Sequence, residues 1–347
     1  MQRYLTGIGI IISIVAASAY VSDNPYFKIT NTDVIFKTPA GFPKPVYDIS
    51  ANQPTAAVFT LGRKLFYDPI LSRDYFLSCA TCHQQFAAFA HIDHALSHGV
   101  FGRIGKRNVP ALQNLAWSNT FMADGGINHL DLQPIAPLTG ETEMDQTLSE
   151  VLHKLQRDSV YPALFREAYG DTLISSERLM KALSQFLVLM TSSNSRYDQY
   201  LANKSIFSES EKRGLKHFRS KCASCHKEPL FTDYSFRNTG IIPDPSIQDA
   251  GRYLITGNPQ DSLKFRVPSL RNVEMTYPYM HDGSFRTLEK VMQHYAGLNT
   301  ENTRADKMLA KTSGISVTDQ QDIIAFLKTL TDSTFLHDRR FMDPATQ

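Results

Sequence analysis

Two pentapeptides carry the plainest chemistry in this chain: Cys79-Ala80-Thr81-Cys82-His83 and Cys222-Ala223-Ser224-Cys225-His226. Two thiols three residues apart can add to the two vinyl groups of one haem. The histidine after the second thiol can then meet the iron from one face as its proximal ligand. The chain has 4 cysteines, and the two motifs use all of them. Cys79, Cys82 and His83, and then Cys222, Cys225 and His226, therefore read as attachment sites for two covalent c-type haems. A four-cysteine zinc site made of two C-x-x-C knuckles would leave both histidines without a role, and its knuckles would lie far apart in sequence. A thioredoxin-like redox pair needs a βαβ surround, which neither motif has.

The elements around the motifs are helical. At 347 residues the chain is long enough for about two domains, one motif in each half. An apolar fraction of 42% supplies ordinary packed cores. Pro54 stands where a first helical turn would begin, and Val58, Leu61 and Leu65 follow at helical spacing. Asp68-Pro69 stops that helix just before the first motif. Residues 84–144 have poor periodicity and frequent Gly and Pro, and a loop segment of that length is usually functional. Helices resume at Thr147–Leu155 and Ser176–Met190. Ser208-x-x-Glu211 is a capping box for a helix running into Cys222, Thr287 caps a helix through Tyr295, and Thr318-x-x-Gln321 opens the last helix. Helix, haem motif, loop and closing helix is the plan of a small c-type cytochrome. The expected fold is mostly α, with two cytochrome-c-like haem domains and long connecting loops.

Arg3, the uncharged and mostly apolar run from Tyr4 to Val15, and Ala17-Ser18-Ala19 read as a secretory signal peptide over residues 1–19; an uncleaved anchor is the alternative. Residues 20–50 read as an extended arm lying on the body. The haem domains are expected at 51–205 and 206–347. Export to the periplasm fits the chemistry, since c-type haem is added outside the cytoplasm in bacteria. Removing residues 1–19 takes away Arg3 alone, leaving 35 basic against 34 acidic residues. That balance argues against a nucleic-acid partner.

Beyond the motifs, longer strings resemble the bacterial di-haem cytochrome c peroxidases and their relative MauG, over roughly residues 55–335. They are Leu61-Gly62-Arg63-Lys64-Leu65-Phe66-Tyr67-Asp68-Pro69 and Leu71-Ser72, then Arg107-Asn108-Val109-Pro110, Asp124-Gly125, Gln133 and Glu143-Met144. The second half adds Val267-Pro268-Ser269-Leu270-Arg271-Asn272-Val273 and Pro278-Tyr279-Met280-His281-Asp282-Gly283. The resemblance implies peroxide reduction at the N-terminal haem. The C-terminal haem would take electrons from an external donor.

The resemblance also distributes roles. Glu143 falls where the family keeps its acid/base, with Gln133 beside it to orient peroxide or water. Peroxide must lose a proton, and the departing oxygen must gain one to leave as water, so a carboxylate can serve both steps. On spacing alone, Glu143 would be an ordinary surface carboxylate like Glu141. His98 resembles a removable ligand of the first iron, with His91 and His94 as rivals. Tyr295 matches the position where family members put Met or Tyr on the second iron; Met292 and His294 are alternatives, and a core tyrosine is another. Asn108, Thr276 and Pro278 match positions that help hold a calcium ion between the domains. Without the resemblance these are ordinary loop residues. Many relatives have a Trp just before the matched Asp124-Gly125; here that residue is Ala123, and the single tryptophan, Trp117, reads as core.

The expected function is a periplasmic di-haem peroxidase that reduces hydrogen peroxide with electrons from a small cytochrome c or cupredoxin. A homodimer is an open expectation. The alternatives are a MauG-like oxidase acting on a protein or organic substrate and a non-enzymatic di-haem electron carrier, which Glu143 and Gln133 disfavour.

Overall fold

Thr55, and not Pro54, opens the first long helix. Only threonine offers a side-chain oxygen to the free N–H groups of a first turn, and its hydroxyl accepts from the Val58 N–H at 3.3 Å. The helix runs Ala56–Tyr67 and ends at Asp68, whose carboxylate then caps a short turn begun by Pro69. The computed structural model describes residues 28–301 and 304–346; the expected leader lies outside them.

Helices Leu148–Arg157 and Glu209–Lys221 begin with reciprocal capping boxes, Thr147 with Glu150 and Ser208 with Glu211. Thr287 caps Leu288–Gly297, and Ser175 caps Ser176–Val188. The last long helix departs from expectation. It spans Val317–Lys328 and is capped by Ser316 through the Asp319 N–H, which leaves Thr318 inside its first turn. Ser316 sits at the start of the helix with its hydroxyl free to accept, so it takes the cap two residues earlier. Residues 84–144 hold short 3-10 turns and one five-residue helix, Ile135–Thr139. The only strands among the described residues are Phe236–Arg237 and Phe265–Arg266, paired antiparallel. No described helix is long and apolar enough to cross a membrane.

Two cores form, and each is built on the same crossing of two helices. In the first, Ala56–Tyr67 packs on Ser176–Val188; a Cβ on Gly62 would collide with the Ala182 carbonyl and crowd Phe186. In the second, Glu209–Lys221 packs on Val317–Lys328; a Cβ on Gly214 would collide with the Asp322 carbonyl and crowd Phe326. Glycine is what lets the backbones approach so closely in both. The two crossings put each haem motif at the end of, or soon after, the first helix of its pair.

The chain does not divide cleanly at residue 206. Phe335, Leu336 and Phe341 pack in the first core, although sequence order groups them with the second half. The Tyr67 hydroxyl donates to the Phe341 carbonyl at 2.6 Å, Gln85 donates to the Asp338 carbonyl at 2.9 Å, and Arg340 donates to the Asp33 carbonyl at 2.7 Å. The described part of the arm, from residue 28, lies on the same body. Trp117 is buried between its Phe36 and Phe42 and donates to the Pro43 carbonyl at 2.8 Å.

Candidate active site

Each haem motif opens on an interior cavity. The first cavity, about 160 Å³, is lined by Cys79, Cys82 and His83. Ser78 starts their short helix with a capping box to Thr81, which presents the two sulfurs one turn apart. Burial pushes the Cys79 thiol up to about 12 and the Cys82 thiol up to about 11. Thiols held neutral in this way are poor nucleophiles for disulfide exchange, and all four cysteines are unpaired with one another. Alkylated sulfurs suit the position.

His83 Nδ1 lies 2.7 Å from the Phe89 carbonyl. A carbonyl only accepts, so Nδ1 carries the proton and Nε2 keeps its lone pair. Burial pulls this imidazole down to about 4 against that hydrogen bond, so the ring is neutral near pH 7. A neutral imidazole oriented by a carbonyl is a well-prepared iron ligand. His226 repeats the arrangement, with Nδ1 at 3.1 Å from the Phe231 carbonyl and 3.2 Å from that of Pro268, and burial lowers it too. It lines the second cavity, about 320 Å³, with Cys222 and Cys225. Both sets of residues fit a covalent haem. Two haems are therefore expected to stay with the polypeptide through acidified organic solvent. Mass spectrometry of the denatured protein that found zinc, or bare thiols, would end this reading.

The first cavity also gathers the residues assigned to peroxide chemistry. Glu143, Gln133 and His98 all line it together with His83. Gln133 sits at the end of the Leu130–Leu132 turn. Glu143 follows the Ile135–Thr139 helix, its N–H bonded to the Gly140 carbonyl and its carbonyl accepting from Val100 at 2.8 Å. Burial raises the Glu143 carboxyl above the ordinary range. Glu141 is exposed, lies outside the cavity, and uses its carbonyl to accept from Arg103. Of the three histidines in the loop, only His98 reaches the cavity; its ring meets that of His94 at a tilt, 4.1 Å between centres, and His94 stacks on His91 at 5.2 Å.

In the second cavity Tyr295 and Met292 both line the wall with His226, while His294 turns away and bonds the Thr239 carbonyl at 2.8 Å. Tyr295 is partly buried, and that burial raises its phenol well above the ordinary value. Met308 lines this cavity as well. It escaped the sequence reading because it falls in a stretch without periodicity. Asn108, Thr276 and Pro278 share the same lining. The Asn108 amide donates to the Ala95 carbonyl and its N–H to the His281 carbonyl, so its side-chain oxygen is the free group. Among the described residues no cluster of three or more His, Cys, Asp or Glu could hold a metal ion.

Ala123 lines both cavities, as do Asn108, Val109, Pro110 and Arg266. Beside this wall, Arg107 joins the two halves: it donates to Asp249 at 2.6 and 2.8 Å and to Asp124 at 2.5 Å.

Both halves of the chain have relatives among known proteins. The family described as di-haem cytochrome c peroxidase matches residues 56–206, and the cytochrome c family matches residues 211–331. The methylamine utilization protein MauG of Methylophilus methylotrophus is 34% identical over 85% of this chain and 87% of its own. The cytochrome c551 peroxidase of Nitrosomonas europaea is 30% identical over 83% of this chain and 84% of its own. A solved structure described as a MauG-like protein associated with microbial copper homeostasis superposes with a TM-score of 0.79 at 31% identity, covering 89% of this chain and 99% of that one.

Proposed function

Because this chain belongs to the di-haem cytochrome c peroxidase family, which includes MauG, we propose that it is a periplasmic peroxidase that reduces hydrogen peroxide to water. Its electrons would come from a small redox protein at the second haem domain. The observation that carries the reading is the convergence of Glu143, Gln133 and His98 on the cavity of His83. When bound, haem supplies the redox centre that accepts electrons and passes them to peroxide. The protein's own share is proton handling and exclusion of water. Glu143 takes the proton that peroxide gives up and returns it to the departing oxygen. Gln133 orients the molecule by hydrogen bonding, and His98 would be a removable ligand of the iron. A calcium ion on the Asn108 side-chain oxygen and the carbonyls near Thr276 and Pro278 belongs to the proposal as its structural part. Steady-state peroxide consumption with a reduced cytochrome c tests the activity directly. No turnover by the haem-loaded protein would remove it.

A second reading is favoured by Tyr295 and by the likeness to MauG: an oxidase that acts on a protein or organic substrate. The two readings meet at the second iron, where a phenolate lowers the potential and a methionine raises it. Tyr295→Phe keeps the ring and removes the oxygen. If Tyr295 is the ligand, the six-coordinate absorption signature of the second haem is lost in this variant and its potential rises. A spectrum identical to the parent's would move the assignment to Met292 or Met308.

A further inference from the structure

The wall between the cavities contains a partly buried cation that, among the described residues, has no carboxylate to meet it. Arg266 follows Phe265 in the short strand pair, and its N–H donates to the Ala123 carbonyl at 2.7 Å. That bond points the side chain into the space between the two cavities, and Arg266 lines both. Its guanidinium makes only weak contacts: Nε to the Met122 carbonyl at 3.4 Å and Nη1 to the Ser118 hydroxyl at 3.5 Å. The Tyr234 ring centre lies 5.8 Å away. Among the described residues no carboxylate stands within ion-pair range of it, whereas the neighbouring Arg107 has two and Arg271 has one. Burial accordingly lowers the Arg266 guanidinium, with only Tyr234 opposing.

A lone charge in such a place is costly unless something pairs with it. A guanidinium carries five N–H donors in a flat fork and cannot shed its proton to escape. Its natural partner is a carboxylate, taken two bonds at a time. Resting on the di-haem reading above, each cavity would receive a porphyrin that carries two propionate carboxylates. We propose that Arg266 is a shared propionate receptor, pairing with one carboxylate from each haem and joining the two prosthetic groups through a single guanidinium. Ala123 leaves room for this. With a methyl group in the wall, the space beside it is open to the arginine. Arg266 does not touch peroxide; it is a positioning residue that sets the electrostatic field at both irons. A fixed positive charge near both haems favours their reduced forms, so it raises both potentials together.

The test uses the haem-loaded protein and reads potentials, not turnover. In Arg266→Gln both midpoint potentials should fall, each by roughly tenfold in the reduction equilibrium, which is about 59 mV for one electron. Arg266→Lys keeps the charge and should recover most of the shift. Two haems per chain with both potentials unmoved in Arg266→Gln would overturn the proposal, and so would movement of one potential alone. Should the glutamine variant fail to fold, the parent protein still decides. A potential that tracks chloride at constant ionic strength would mean that a diffusible anion meets the charge and that the propionates do not, whereas insensitivity to chloride supports the propionate pairing. Failure of the parent to carry haem at all would instead end the proposed function, and the haem count tells these cases apart.

Discussion

Glu143→Gln is expected to lower peroxide turnover by about 10²–10⁴-fold, the usual worth of a positioned general acid–base group. Glutamine keeps the size and one accepting oxygen but neither takes nor returns a proton near neutral pH. Haem content, folding and reduction by the donor should stay as in the parent. The pH profile gives a second reading with a definite sign. Burial raises the Glu143 carboxyl, and the base works only when ionised. Activity should therefore be present above that raised value and be lost as pH falls through it, at a higher pH than an exposed glutamate would show. In the glutamine variant this limb should vanish. Glu141, exposed and outside the cavity, is the control and should tolerate the same change within a few-fold. Equal losses at both positions would mean a disturbed loop, and full activity in Glu143→Gln would leave a closed-iron electron carrier as the better account.

Arg271→Met should cost stability, by about 1–3 kcal/mol, because it leaves the partly buried Asp198 carboxylate with only its Ser195 hydrogen bonds. Arg271 is fully buried. Its two terminal nitrogens donate to the two oxygens of Asp198 at 2.8 and 2.9 Å, and Nε donates to the Pro229 carbonyl at 2.8 Å. The guanidinium also lies 4.8 Å from the Phe42 ring centre and 5.6 Å from that of Phe231, whose carbonyl orients His226. One side chain thus ties the arm, the linker helix Arg196–Leu201 and the loop behind the second proximal histidine. Burial alone would raise Asp198; the bonds and charge of Arg271 outweigh it and hold the carboxyl below its ordinary range. A carboxyl lowered on folding contributes stability above its unfolded value and loses that contribution as pH falls through the folded one. The parent should therefore lose stability on acidification along this limb, and Arg271→Met should lose less. Urea unfolding at several pH values measures both effects. A change under 1 kcal/mol would mean that Asp198 finds water or new partners.

What could be read without coordinates follows from how local each signal is. Cys79, Cys82 and His83 declare their chemistry within five residues, and so do Cys222, Cys225 and His226. The capping box at Ser208 is equally local and stands where it was expected, and the box at Thr147, not foreseen as such, opens a helix whose start was expected there. Glu143 and Gln133 have no such local mark, since a carboxylate and an amide in a loop look alike wherever they point; only the family strings singled them out. Arg266 had no signal of any kind. Its meaning lies in the carboxylate that is missing near it, and an absent partner is visible only in three dimensions. The helix start at Ser316 was missed for a different reason: two hydroxyl residues compete there, and side-chain direction decides between them.

The return of residues 335–341 to the first core bears on the order in which this protein can mature. Domains usually fold as they are delivered, the N-terminal one first. Here the first domain lacks Phe335, Leu336 and Phe341 until residues 335–341 have been made, and Tyr67 and Gln85, on either side of the first attachment motif, wait for partners there. Assembly of the first half is thereby tied to completion of the second. A chain stalled before this segment would leave Phe59, Phe89 and Phe186, the rings on which Phe335 and Phe341 pack, uncovered on that side.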